Sequence, residues 1–160
     1  MKVETAYLAW QFAMAIGSEM DEVLEPLGLT KAQFNALQHM ADTPGITSAE
    51  AARRTGITAQ SMGAAVADLA DRGLARREPH PVHRRLIALT LTPRGEQAMW
   101  RAMAAVSEIN VRALAPLDDG QRDTLRSILL QLVHEKRPEV IPGSGYRVSP
   151  DSRPPSGETR

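Results

Sequence analysis

The chain has 160 residues, 42% of them hydrophobic and 24% charged, and no cysteine. Those values suit one globular domain, or a small domain with an oligomerising extension, and they exclude disulfides, thiolate metal ligands and cysteine redox chemistry. The formal net charge is zero but unevenly placed: residues 1–46 hold two lysines against six carboxylates, and residues 47–94 hold eight arginines against four. A basic centre of this kind suits phosphate, although a solvated charged face has the same composition.

Residues 3–26 read as a long helix whose apolar side chains, among them Tyr7, Leu8, Trp10, Phe12 and Met14, point in more than one direction. Such a helix buries one face in its own subunit and another against a partner. Glu4, Glu19, Asp21 and Glu22 interrupt it, and no other stretch is long enough to span a bilayer. A cytoplasmic protein is therefore expected. Leu27-Gly28-Leu29 is a turn, after which Thr30 caps a second helix carrying Phe34, Leu37 and Met40. Thr47 and Glu50 are spaced as a capping box, the hydroxyl taking the Glu50 amide while the carboxylate returns to the Thr47 amide. That short third helix stops at Thr55-Gly56.

The stretch 57–73 organises the rest. Thr58 caps a helix, Ile57 and Met62 are placed as a hydrophobic staple, and Gly73 ends the helix in a left-handed turn. Met62, Val66 and Leu69 form its core stripe, while Gln60, Ser61, Gly63, Ala64 and Ala67 face the other way. These short side chains let the backbone approach another surface, either inside the protein or in a DNA groove. Two capped helices joined by a glycine turn make a helix-turn-helix, whose second helix lies in the major groove.

Residues 74–78 then read as a strand and Pro79-His80-Pro81-Val82-His83 as an exposed turn. Residues 85–92 alternate as a second strand, with Ile87, Leu89 and Leu91 on the buried side. A hairpin carrying Arg84 and Arg85 at its tip is a wing, suited to phosphates or a narrow minor groove. Thr92-Pro93 starts a helix to about residue 117, marked by Met99, Trp100, Met103, Val106 and Ile109. Asp118 and Gln121 form a capping box for a last helix ending near Lys136. Prolines and glycines beyond it leave nothing to pack, and a disordered tail is expected.

In order along the chain, Leu27-Gly28-Leu29-Thr30 with Gln33-Phe34, the run from Thr47 to Arg54, the helix from Thr58 to Leu69, Arg72-Gly73-Leu74, Arg77, Arg84-Arg85 and Leu89 to Gly95 closely resemble the MarR family of bacterial winged-helix transcription regulators. The fold expected is mainly α with a small β-hairpin wing. It divides into an N-terminal dimerisation helix (1–29), a winged helix-turn-helix DNA-binding lobe (30–95), C-terminal dimerisation helices (96–137) and the tail (138–160). The resemblance implies a homodimer on double-stranded DNA, reading a pseudo-palindromic operator with half-sites roughly 34 Å apart. It also implies control by a small aromatic or anionic effector, and repression more than activation. The chain departs from the family at His80 and His83, where many members carry aspartates and the second normally orients the wing arginine. A histidine cannot act as that anionic partner, and the path of Arg85 is left open.

Gln60 and Ser61 are the expected base-edge contacts, Gln offering adenine a donor and an acceptor, with Ala64 beside them on the face. Thr58 caps the helix and can touch phosphate. Ser48, Arg53 and Arg54 on the supporting helix are backbone contacts, unless one arginine serves the fold instead. Arg84 and Arg85, with His83 beside them, are the wing contacts, and Arg76 and Arg77 are phosphate candidates in the strand before it. Trp10, Met14, His39 and Trp100 line an effector cavity between the long helices, or else are plain core. His80 and His83 make an H-x-x-H pair with no third ligand, so no metal or other cofactor is expected. Dinucleotide, Walker, zincin and nucleophile-elbow motifs are absent from the sequence, against an enzyme. The remaining rival is a winged-helix protein-interaction module without DNA binding.

Overall fold

The structure, a computed structural model, describes residues 3–138. Eight elements follow in order: α1 (Thr5–Leu24), α2 (Lys31–Asp42), α3 (Ser48–Thr55), α4 (Ala59–Asp71), β1 (Ala75–Pro79), β2 (Ile87–Leu91), α5 (Pro93–Ala113) and α6 (Asp119–Lys136). The expected tail, Pro138 apart, lies outside the described residues. No helix among the described residues is long and apolar enough to cross a membrane.

Caps fix where the helices begin. Thr30, Thr47, Thr58, Thr92 and Asp118 each accept the N3 amide of the helix they precede. Two of them complete a reciprocal box, Thr30 with Gln33 and Asp118 with Gln121. Helix α1 continues beyond Leu24 as one 3₁₀ turn (Glu25–Leu27), closed by Gly28 at φ 68°. Helix α5 stops at Ala113, short of the expected residue 117. Pro116 is the reason: it disfavours helical backbone at the residue before it and clashes with the carbonyl four residues back.

The core sits where α2, α4, α5 and β2 meet, with Leu24, Phe34, Leu37, Met40, Met62, Leu69 and Leu89 fully buried. β1 pairs antiparallel with β2, Arg77 opposite Leu89 and Pro79 opposite Ile87. Ile46, which reads from sequence as the lead-in to α3, adds an isolated antiparallel bridge to Leu89 of β2. Gly45 N–H donates to the Leu89 carbonyl at 2.9 Å, and Leu89 N–H to the Ile46 carbonyl at 2.9 Å. The buried side expected of β2 is corrected: Leu89 is buried and Leu91 half-buried, but Ala88 is buried too, and Ile87, paired with Pro79 at the wing end of the ladder, is exposed.

The outer helices are different. Tyr7, Leu8, Trp10 and Met14 on α1 are more than 50% exposed, and no residue of α6 is buried.

Candidate nucleic-acid interface

Helix α4 presents one wet face and hides the other. Met62, Ala65, Val66 and Leu69 are buried, while Gln60, Ser61 and Ala64 are exposed and Gly63 and Ala67 half-buried. A Cβ added at Gly63 would meet nothing within 4 Å, so this face opens to space instead of packing inside the chain. At its start the Thr58 hydroxyl accepts the Ser61 amide at 3.0 Å and donates to Ser61 Oγ at 2.8 Å. Thr58 thus organises Ser61 as well as the helix end.

From behind, α4 is held by a polar strut absent from the sequence reading. Gln33 Nε2 on α2 donates to Asp68 Oδ2 at 2.7 Å. Arg72 spans from the same carboxylate, at 3.1 Å, to the Gly28 carbonyl, at 2.8 Å. The spacing of Asp68 and Arg72 is an ordinary (i, i+4) pair, so nothing local signals a link of 44 residues to Gly28.

On α3 the structure corrects the expected capping box. The Thr47 hydroxyl accepts the Glu50 amide at 3.2 Å, but the Glu50 carboxylate turns away from the Thr47 amide. It takes Arg53 Nε at 2.9 Å and Arg54 Nε at 2.7 Å instead. Two guanidinium groups offer charge-assisted bonds stronger than one neutral amide can supply. The hydrogen bonds from Arg53 and then Arg54 hold the Glu50 carboxyl below the usual carboxylate range. Arg54 also donates to Thr43 Oγ1 at 3.0 Å, and only 17% of its side chain is exposed. Arg53 is more than half exposed, and Ser48 is half-buried in the first turn.

Below this pair His39 is buried, its Nε2 at 2.9 Å from Thr55 Oγ1. The Thr55 hydroxyl proton goes to the Ala51 carbonyl at 2.8 Å, so His39 must be the donor and its proton sits on Nε2. Nδ1 is then a buried lone pair with no partner. Burial first, and nearby Arg54 second, depress the His39 pKa, while Glu50 pulls it upward. The ring therefore faces α3, inside the lobe. The other three residues expected around an effector cavity have different surroundings: Trp10 rests against Tyr7 with ring centroids 5.8 Å apart, Met14 is exposed on α1, and Trp100 is half-buried against the core. Of the four, His39 is buried against α3 and Trp100 is half-buried, while Trp10 and Met14 stand exposed on α1.

Arg76 and Arg77 are adjacent on β1, hence on opposite faces, and both are exposed. Arg84 and Arg85 are exposed at the wing tip. No anionic partner is supplied to them by His83, whose amide instead donates to His80 Nδ1 at 3.1 Å and whose ring stacks on His80. That acceptor role of His80 was not legible in the sequence.

A short supporting helix, a second helix with a smooth open face and a basic two-stranded hairpin, hung on long helices with uncovered apolar sides, define the winged helix-turn-helix class. A model of the MarR family matches residues 27–86. The HTH-type transcriptional repressor Rv2887 of Mycobacterium tuberculosis is 33% identical over 126 residues, which cover 79% of this chain and 91% of that protein. Its crystal structure in complex with DNA superposes with a TM-score of 0.70 at 31% identity, covering 82% of this chain and 98% of that one. The complex of the same protein with salicylic acid gives 0.68 at 32% identity, covering 82% and 97%. The chain belongs to the MarR family.

Proposed function

We propose that this protein is a sequence-specific, DNA-binding transcription regulator that acts as a homodimeric repressor and answers to a small aromatic or anionic effector. The observation that carries the reading is the open, lightly decorated face of α4 in the same lobe as the exposed wing arginines. Gln60 and Ser61 read base edges, with Ala64 permitting close approach. Thr58, Ser48 and Arg53 lie against the sugar-phosphate backbone, joined by whichever of the opposed pair Arg76 and Arg77 is on the DNA side of β1. Arg84 and Arg85 take the wing into the flanking groove or along its phosphates. Arg54 belongs to the fold more than to the interface, since Glu50 and Thr43 hold it.

The exposed apolar residues of α1 and α6 support a dimer, because a lone chain would leave them in water. Two copies then present two α4 helices to a pseudo-palindrome with half-sites roughly 34 Å apart. Crystals of Rv2887 with DNA and with salicylic acid support both the DNA partner and the class of effector. The place of action is the cytoplasm. The test is selection of bound duplexes from a random pool, followed by binding across a salt series. A two-fold related consensus with affinity falling steeply as salt rises is expected, and a flat salt response would sink the reading.

A further inference from the structure

We infer that His80 positions the wing arginines, and that it does so as a neutral imidazole. The inference rests on the reading of the wing as a DNA contact. His80 Nδ1 accepts the main-chain N–H of Val82 at 3.2 Å and of His83 at 3.1 Å. A nitrogen that accepts carries no proton, so the ring's proton lies on Nε2. Asn and Asp make the same kind of turn with a side-chain oxygen. Two further bonds close the loop: His80 N–H donates to the Leu86 carbonyl at 2.8 Å, and Leu86 N–H to the His83 carbonyl at 2.7 Å. Arg84 and Arg85 are the two residues inside that last closure. Their course depends on the bend that His80 imposes at Val82 and His83. Arginines held in place lose less freedom on meeting phosphate than arginines on a slack loop.

Protonation at Nδ1 replaces the lone pair with an N–H that points at two other N–H groups, and both bonds are lost together. The surroundings add to the effect. The His83 ring stacks on His80 at 5.5 Å and 27°, so charge on both is mutually repulsive. The other charged groups near the tip are Arg84 and Arg85 in the loop and Arg77 and Glu78 on β1, while β2, paired with β1, carries none. The firm tip thus depends on the neutral ring, whose Nδ1 lone pair holds both amides.

The test uses the full chain and two variants. His80→Asn keeps an acceptor that cannot be protonated, and His80→Ala removes it. In the free protein, hydrogen exchange of the Val82 and His83 amides should be slow in wild type and in His80→Asn and faster in His80→Ala. Equal exchange in all three proteins would overturn the cap. On duplex DNA selected with the wild type, His80→Ala should bind at least about fivefold more weakly than wild type, the equivalent of one ordinary hydrogen bond, and His80→Asn should restore most of that loss. Equal Kd values for wild type and His80→Ala, or a loss that His80→Asn does not restore, overturn the inference. If none of the three proteins binds duplex DNA, the functional reading fails, and the amide exchange still decides the role of His80.

Discussion

Gly95 lies so close over Leu74 that the Leu74 carbonyl oxygen occupies the place a Cβ on Gly95 would take. The same carbonyl accepts Thr92 N–H at 3.1 Å, and the Thr92 hydroxyl donates to the Gly73 carbonyl at 2.7 Å while capping Gly95 N–H at 3.0 Å. The end of α4, the return of the wing and the start of α5 are thereby joined at one point. Gly95→Ala should cost about 2–3 kcal/mol, because backbone and not a pliable side chain must move. Chemical denaturation measures it, and a loss under about 0.5 kcal/mol, the range of an ordinary surface substitution, would show that the contact yields freely.

Gln60 and the arginines separate three kinds of role. Gln60→Ala should weaken the selected operator by about 1–3 kcal/mol and leave random duplex unchanged. Arg84→Ala and Arg85→Ala should each lower the salt slope by about one, with little change in Tm. Arg54→Ala should do the reverse, lowering stability by about 1 kcal/mol as its bonds to Glu50 and Thr43 are lost, with the salt slope kept. Equal losses on both duplexes would turn Gln60 into a backbone contact, and an unchanged Tm would return Arg54 to the interface.

The buried ring of His39 predicts an acid-sensitive lobe. Its pKa lies below the ordinary 6.5, so on acidification the unfolded chain takes up a proton before the folded one does. The stability that neutral His39 contributes is complete above about pH 6.5 and is lost as pH falls from there through the folded value. Thermal melts of wild type should drop between pH 7 and 5, and those of His39→Gln should drop less. Parallel curves for the two proteins would assign the acid sensitivity elsewhere. Glu50, with its carboxyl held low by Arg53 and Arg54, acts only at more acid pH, since its ordinary value is 4.5.

For the outer helices, Leu8→Glu on α1 and Leu132→Glu on α6 should each weaken self-association at least about tenfold, because a carboxylate would be buried in an apolar contact. Sedimentation across a concentration series reads the change directly. Self-association that tolerates both substitutions would place the dimer contact on another surface.

Helix starts were legible in the sequence because capping is local: a hydroxyl or carboxylate reaches an amide three residues on, and the residue type at the cap is enough to find it. Thr30, Thr58, Thr92 and Asp118 are of this kind. The apolar stripe of α4 was legible for a similar reason, since its spacing follows from the pitch of one helix. Local spacing failed at Glu50, where a capping-box pattern competes with two guanidinium groups and the charged partners win. Tertiary structure alone decided the rest. The Arg72 bond to Gly28, the Ile46 rung on Leu89, the inward ring of His39 and the Leu74 carbonyl over Gly95 each join residues far apart in the chain or brought together by a fold-dependent close approach. Their partners are set by how the elements pack, and a one-dimensional pattern carries no record of which surfaces will meet.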